Sequence, residues 1–339
     1  MEIVLNNFKS EFISKYLNNN NSKFCRRLCE NNYLESTEDI DTYLHLIKNN
    51  EECWVYLCKN GILKSTEDID RYLHFFKNDI ICWRYLCYYN SLKFTEGIDK
   101  YIEYFKNDED CWKYLCKNTK GINFTEGIDR YLEYFKNDEK CWRYLCYSGS
   151  LKSTEDIDRY LHFFENNIIC WRYLCKNNVI NSTELIDKYL EYIKNDKECW
   201  RNLCENIKGI NSTEGIDRYI QYFENDEWCW YYLCESKLLN SIEIIDKYLH
   251  LFENNIQCWR NLCLNKGINS IEKIDKYLEY IKNDNLCWYK LCRSGVINSK
   301  EKIDRYIHFF KNNNDCLLYI FKNIKRINYS YNSYLLNVY

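Results

Sequence analysis

The chain contains no proline and no alanine. Both have GC-rich codons, whereas the abundant Asn, Lys, Ile and Tyr have AT-rich ones. A strongly AT-rich genome therefore accounts for much of the composition, and the Asn and Tyr content alone carries no function. A dominant charge is missing too: 47 Lys and Arg stand against 50 Asp and Glu in 339 residues, a net charge of −3. That removes any bulk basic signal for nucleic acid. No stretch approaches the roughly 18 consecutive apolar residues of a membrane span, so no membrane association is expected. The first residues, Met1-Glu2-Ile3-Val4-Leu5, carry an acid where a signal peptide is basic, and their apolar run is too short. A cytoplasmic address with reduced thiols is expected. A phosphate-cradling Gly loop, a metal-spaced His pair and a motif-borne nucleophile are also absent, so neither enzymatic activity, a cofactor nor a small-molecule substrate is expected.

What is present is repetition. The hydrophobic fraction is 46% and the aromatic fraction 17%, ample for a core. The hexapeptide Cys82-Trp83-Arg84-Tyr85-Leu86-Cys87 returns with its first cysteine at Cys53, Cys82, Cys111, Cys141, Cys170, Cys199, Cys229, Cys258, Cys287 and Cys316, in steps of 29 or 30 residues. Such a period marks a supersecondary unit. Each copy follows a second recurrent segment, Ile-Asp-Arg/Lys-Tyr-Leu/Ile, as in Ser65-Thr66-Glu67-Asp68-Ile69-Asp70-Arg71-Tyr72-Leu73. Ser65 as N-cap with Asp68 three residues on, then Ile69, Tyr72, Leu73 and Phe76 at helical spacing, predict a first helix, helix A. It should stop near Lys77-Asn78-Asp79, whose polar residues can cap a second helix, helix B, over about Ile80 to Cys87. The longer 30-residue steps place their extra residue in the links, as at Thr119-Lys120-Gly121.

The fold class read from this pattern is all-α, an α-solenoid of about eleven two-helix repeats forming one array over residues 1–339. Residues 1–35 read as an N-terminal capping repeat, with worn copies of helix A at Ile13-Ser14-Lys15-Tyr16-Leu17 and of helix B at Phe24-Cys25-Arg26-Arg27-Leu28-Cys29. Residues 36–315 are regular repeats. Residues 316–339 read as a C-terminal cap with a last partial helix over Asn328 to Tyr339. Stacked hairpins 8 to 10 Å apart would give an array on the order of 100 Å long.

At about 100° per residue, Trp and Leu of helix B lie between its two cysteines, which therefore flank the helix on opposite sides. The second Cys of one repeat should face the first Cys of the next. The expected pairs are Cys29 with Cys53, Cys58 with Cys82, Cys87 with Cys111, Cys116 with Cys141, Cys146 with Cys170, Cys175 with Cys199, Cys204 with Cys229, Cys234 with Cys258, Cys263 with Cys287, and Cys292 with Cys316. Phe24 and Phe321 replace cysteine where a neighbouring full repeat is missing, and Cys25, at a Trp position, is left over. The pairs are open to three readings. They are small buried thiols that permit close approach, a disulfide ladder contributing on the order of 3 kcal/mol per bond, or metal ligands. Two thiolates per interface fall short of zinc's four ligands, so no metal is expected. The repeated tryptophans read as core side chains between helices.

Two further columns could carry function. One follows Tyr-Leu/Ile on helix A and holds His45, His74, Glu103, Glu133, His162, Glu191, Gln221, His250, Glu279 and His308, a polar strip read either as a solvated face or as a surface for a protein partner. The other follows the Trp of helix B and holds Val55, Arg84, Lys113, Arg143, Arg172, Arg201, Tyr231, Arg260 and Tyr289, with Tyr56, Tyr85, Tyr114, Tyr144, Tyr173 and Tyr232 beside it. Such mixtures serve single-stranded RNA readers; the competing reading pairs these cations with the recurrent helix A acids Asp41, Asp70, Asp99, Asp129, Asp158, Asp187, Asp217, Asp246, Asp275 and Asp304.

With its Cys-Trp-Arg-Tyr-Leu-Cys and Ile-Asp-Arg-Tyr-Leu units, the chain resembles the tryptophan-repeat gene family of insect poxviruses. The resemblance implies a viral, multi-copy family without an assigned activity, for which action on host proteins is the expectation. The hairpin architecture is also similar to tetratricopeptide and Sel1-type arrays, although the motif lacks the Ala and Pro of the former. Three functions are expected to compete: a non-enzymatic scaffold for a protein partner such as a host factor, a single-stranded RNA binder, and a redox-responsive rod stiffened by a disulfide ladder.

Overall fold

The computed structural model describes residues 22–327 apart from 90, 93, 119–121, 123, 207–209 and 211. The worn helix A at 13–17, the partial helix at 328–339 and the insertion at 119–121 lie outside the described residues. The chain forms two compact units, Met1–Leu174 and Cys175–Tyr339. The described residues are all-α, without a strand, and each unit is a stack of helical hairpins.

In the first unit, α1 (Ser22–Glu30) is a lone helix B. It is followed by alternating A and B helices: α2 (Thr37–Ile47), α3 (Glu51–Lys59), α4 (Thr66–Phe76), α5 (Ile80–Tyr88), α6 (Phe94–Phe105), α7 (Glu109–Lys117), α8 (Thr125–Phe135), α9 (Glu139–Tyr147), α10 (Thr154–Phe164) and α11 (Ile168–Lys176), the last running to the unit boundary and past it. In the second unit the order is α12 (Thr183–Ile193), α13 (Lys197–Glu205), α14 (Thr213–Tyr219) with a 3-10 turn over Ile220–Tyr222, α15 (Glu227–Glu235), α16 (Ile242–Phe252), α17 (Ile256–Leu264), then α18 (Ile271–Lys276) and α19 (Leu278–Ile281), which share one helix A position, α20 (Asn285–Arg293), α21 (Lys300–Phe310) and α22 (Asn314–Ile327).

Each boundary has a local cause. Ser36, Ser65 and Ser153 close capping boxes with Asp39, Asp68 and Asp156, satisfying backbone donors of the first turn of helix A. Helix A lasts eleven residues in most repeats because a Lys-Asn-Asp or Glu-Asn-Asn turn follows, and the final residue of that turn caps helix B. Asp108 Oδ1 accepts from the Cys111 N–H at 2.9 Å, and Asp196 and Asp284 do the same for Cys199 and Cys287. After helix B, Gly61, Gly149 and Gly295 take positive φ of 65°, 71° and 75°, the left-handed step that ends a helix and turns the chain toward the next one.

The core runs through each hairpin. Ile69, Tyr72 and Phe76 of helix A and Cys82, Trp83, Leu86 and Cys87 of helix B are buried, and the same positions are buried in the inner repeats; toward the ends Phe24, Leu28, Tyr43, Ile303 and Leu317 are only half-buried and Phe321 is exposed. Every repeat tryptophan from Trp54 to Trp288 is 0 to 2% exposed. Its indole N–H donates to the carbonyl six residues earlier, from Trp112 to Lys106 at 2.8 Å and from Trp230 to Glu224 at 2.9 Å. That carbonyl belongs to the end of helix A, where backbone acceptors have no intrahelical donor. One side chain thus fills the hairpin and closes its first helix.

Candidate functional site

Consecutive hairpins meet along two seams. Helix B backbones approach closely, whereas helix A backbones stand further apart and are bridged by long side chains. The close approach follows from residue size, because the facing positions on helix B are cysteines. The structure brings together all ten pairs: 29 with 53, 58 with 82, 87 with 111, 116 with 141, 146 with 170, 175 with 199, 204 with 229, 234 with 258, 263 with 287 and 292 with 316. All are buried, unbonded thiols. Hydrogen bonding to the facing thiol and burial push Cys82, Cys111 and Cys199 well above the usual thiol value. Burial first, then the facing thiol, does the same for Cys116 and Cys204. These are neutral sulfurs in a dry seam, not activated nucleophiles. Cys25, which has no such partner, donates to the Leu46 carbonyl at 3.4 Å.

The helix A seam is polar, and spacing within one repeat does not disclose its pairing. The Asp of each Ile-Asp-Arg/Lys-Tyr segment accepts from the next repeat: Tyr72 Oη donates to Asp41 Oδ1 at 2.7 Å and to the Thr37 carbonyl at 3.1 Å, while Arg71 clamps Asp41 Oδ2. In the first unit the same joint links Asp70 with Lys100 and Tyr101, Asp99 with Arg130 and Tyr131, and Asp129 with Arg159 and Tyr160. In the second it links Asp187 with Arg218 and Tyr219, Asp217 with Lys247 and Tyr248, Asp246 with Lys276 and Tyr277, and Asp275 with Arg305 and Tyr306. Hydrogen bonds from Lys100 and Lys247 hold Asp70 and Asp217 below the usual carboxylate range. Burial, then the bond to Asp, raises the phenols of Tyr72 and Tyr248.

This corrects one expectation. Arg84, Lys113, Arg143, Arg201 and Arg260 of helix B do not pair with the helix A acids, and Asp41, Asp70, Asp99, Asp129, Asp187, Asp217, Asp246 and Asp275 are occupied by helix A cations. Arg84 instead grips Asp108, the cap of the next helix B, through Nε at 3.2 Å and Nη2 at 2.7 Å. Arg201 holds Asp226 and Arg260 holds Asp284 in the same way. Lys113 lies 3.5 Å from Asp138 and also meets Glu109. Although burial opposes it, bonds from Arg84 and the Cys111 N–H keep Asp108 below its ordinary value. A sequence signal did exist. Asp108, Asp138, Asp196, Asp226 and Asp284 follow Arg or Lys at the column position one repeat earlier, and Asn255 and Asn313 follow Tyr231 and Tyr289, while Asp79 after Val55 and Asn50 after Arg26 depart from the pattern. Arg143 breaks the rule by facing Asn167; it pairs with Glu139 at 2.8 Å, and both its buried Nε and Asn167 Nδ2 lack a partner. Arg172 is also engaged with a neighbouring group.

The other column is wholly on the surface. His45, His74, Glu103, Glu133, His162, Glu191, Gln221, His250, Glu279 and His308 are all exposed. Glu103, Glu133, Glu191 and Glu279 each bind the Lys three residues on, at the end of helix A. His74, His162 and His308 lie against Phe75, Phe163 and Phe309. Those rings, like Tyr104 and Tyr134, stack on the preceding repeat's tryptophan, as Tyr104 does on Trp83 with planes 4° apart. Much of the row therefore has a stacked aromatic base, whereas His45 and His250 are followed by Leu46 and Leu251. It does not converge: no group of three or more potential metal ligands exists among the described residues. Nor is any helix among them long and apolar enough to cross a membrane.

No family model matches the chain, and neither a curated protein nor a solved structure is similar to it.

Proposed function

We propose that the chain is a non-enzymatic helical-repeat scaffold that binds a protein partner. The observation that carries this reading is the contrast between positions: the buried core, the buried sulfur seam and the partly exposed polar seam are nearly uniform from repeat to repeat, while the exposed helix A row varies among His, Glu and Gln on a fixed frame. The resemblance to the poxvirus repeat family would make that partner a host protein. RNA binding through the helix B column has less support, because Arg84, Arg201 and Arg260 are already committed to carboxylates. Affinity purification from the native host cell, with and without nuclease, tests the choice. Nuclease-resistant recovery of a protein is expected, and loss of every partner after nuclease sinks the reading.

The contact of all ten cysteine pairs supports a second reading, a redox-responsive rod. Oxidation of each pair would release two protons and two electrons to an external disulfide, which is reduced to two thiols. Intact-mass measurement after incubation with glutathione disulfide decides it: a mass that does not fall by two hydrogens per pair, together with unchanged melting, excludes a ladder.

A further inference from the structure

Among the helix B's, α15 (Glu227–Glu235) is the one whose sequence holds no Lys or Arg. At the positions where α9 has Glu139, Lys140, Arg143, Tyr144 and Tyr147, α15 has Glu227, Trp228, Tyr231, Tyr232 and Glu235. Trp228 is 54% exposed, whereas the nine repeat tryptophans are buried. Its ring meets those of Tyr231 and Tyr232 with centroids 5.7 and 6.4 Å away, and the two tyrosines sit edge to face at 5.3 Å. The three rings thus form one packed cluster in which Trp228 faces solvent and Tyr231 and Tyr232 are half-buried beneath it. Around it stand exposed Glu205, Glu227 and Glu235, none of which makes an ion pair among the described residues. The nearby Arg201 is consumed by Glu198 and Asp226. Burial and then the carboxylates and phenol around it, Glu205 foremost, raise the Tyr232 phenol, which places the acidic field on the rings themselves.

We propose that Trp228, Tyr231 and Tyr232, rimmed by Glu205, Glu227 and Glu235, dock a basic, extended peptide segment of a protein partner. The inference rests on the protein-binding reading above and names the chemistry of what is bound. Aromatic faces attract guanidinium and ammonium groups, carboxylates take their charge-assisted hydrogen bonds, and exposed Trp and Tyr are the residues that dominate protein interfaces. Phosphate would meet three unpaired carboxylates here, so the same surface disfavours RNA. Core packing does not account for the cluster, because α17 occupies the equivalent place with Gln257, Arg260 and Asn261.

The test titrates the full chain with a labelled peptide of four Arg-Ser units, using a peptide of four Glu-Ser units and poly-U as controls, and follows acrylamide quenching of Trp228. The basic peptide should bind and shield Trp228, and the acidic peptide and poly-U should not. Trp228→Gln with Tyr231→Arg, which installs what α17 carries at these positions, should weaken binding about tenfold or more without lowering the melting temperature. Glu227→Gln with Glu235→Gln keeps the rings and should weaken binding too, with loss of its salt dependence. Equal binding by wild type and the ring variant, no binding of the basic peptide, or preference for poly-U overturns the proposal. If a nuclease-resistant cellular partner is recovered equally on the ring variant, this site is wrong and the scaffold reading survives. If no partner survives nuclease, the scaffold reading itself fails.

Discussion

Within each unit, hairpins are joined to their neighbours twice, by a dry sulfur seam between helix B's and by a hydrogen-bonded ladder between helix A's. The first brings backbones together because a thiol is small and asks for no partner in a core. The second holds backbones apart and fixes their register, because a carboxylate must meet both a cation and a phenol at defined positions. Adhesion and alignment are thus assigned to different sides of the same unit. A seam of cysteines alone would specify contact but little about sliding along it, and a ladder alone would leave helix B without a packed neighbour.

Alkaline pH should separate the two seams most strongly. The thiols of Cys82, Cys111, Cys116, Cys199 and Cys204 are held neutral in the fold by their facing thiol and by burial, so their folded values are raised. Their contribution is present in full below the free thiol value of roughly 8.5 and falls as pH rises above it, by about 1.4 kcal/mol per pH unit for each thiol. Urea midpoints measured from pH 7 to 10 under reductant should drop steeply, and a flat profile would contradict the buried seam. The carboxylates of the polar ladder respond in the opposite direction, while its raised phenols lose their share only above the ordinary tyrosine value of about 10. Asp70 and Asp217 are depressed, so their stabilisation exists above the ordinary aspartate value of about 3.9 and is lost as pH falls below it.

Trp112→Ala strikes both seams at once. It empties the hairpin, removes the donor from the Lys106 carbonyl and takes the stacking surface from Tyr134 of the next repeat. A loss of about 3 to 5 kcal/mol in the unfolding of the surrounding repeats is expected, read by hydrogen exchange of α7 and α8. Next in size, Cys204→Leu overfills the contact with Cys229 and should cost about 1 to 3 kcal/mol. Its polar counterpart, Tyr248→Phe, deletes the hydroxyl donated to Asp217 at 2.9 Å and should cost about 0.5 to 1.5 kcal/mol. If the order of these two is reversed in chemical denaturation, the ladder and not the sulfur seam dominates adhesion. The smallest effect has the opposite sign. Asn167→Asp gives Arg143 the acceptor that the other joints possess, and a gain of up to about 1 kcal/mol is expected for this partly exposed pair, measured as a raised melting temperature.

The hairpins, their caps and the core positions are local, set by residues within one 29-residue period, and the angles of helix B suffice to put its two cysteines on opposite flanks. Helix A was expected to stop near Lys77 and ends at Phe76; helix B was expected to reach Cys87 and runs to Tyr88. The polar partners were not readable in the same way. Whether Arg84 meets Asp70, fourteen residues before it, or Asp108, twenty-four after it, depends on how successive hairpins are offset, and helical angles within one hairpin carry no information about that offset. The tyrosine of the Ile-Asp-Arg-Tyr segment reads as core from its apolar spacing, and its ring is indeed buried. Only the stacking reveals that its hydroxyl emerges beside the previous repeat's aspartate. The exposed rings of α15 are legible as a departure from the pattern, but they become visible only once the positions facing solvent are known.

The ladder has a further property. Each of its joints reaches forward by one period and uses the same three groups, so the donors of one repeat fit the acceptor of any other. Excision of residues 66–94 would leave Asp41 facing Lys100 and Tyr101 with the chemistry it now finds in Arg71 and Tyr72. The chain can therefore lengthen or shorten by whole periods through unequal recombination without leaving a broken bond at the scar, and its length is a quantity that inheritance can adjust separately from its fold.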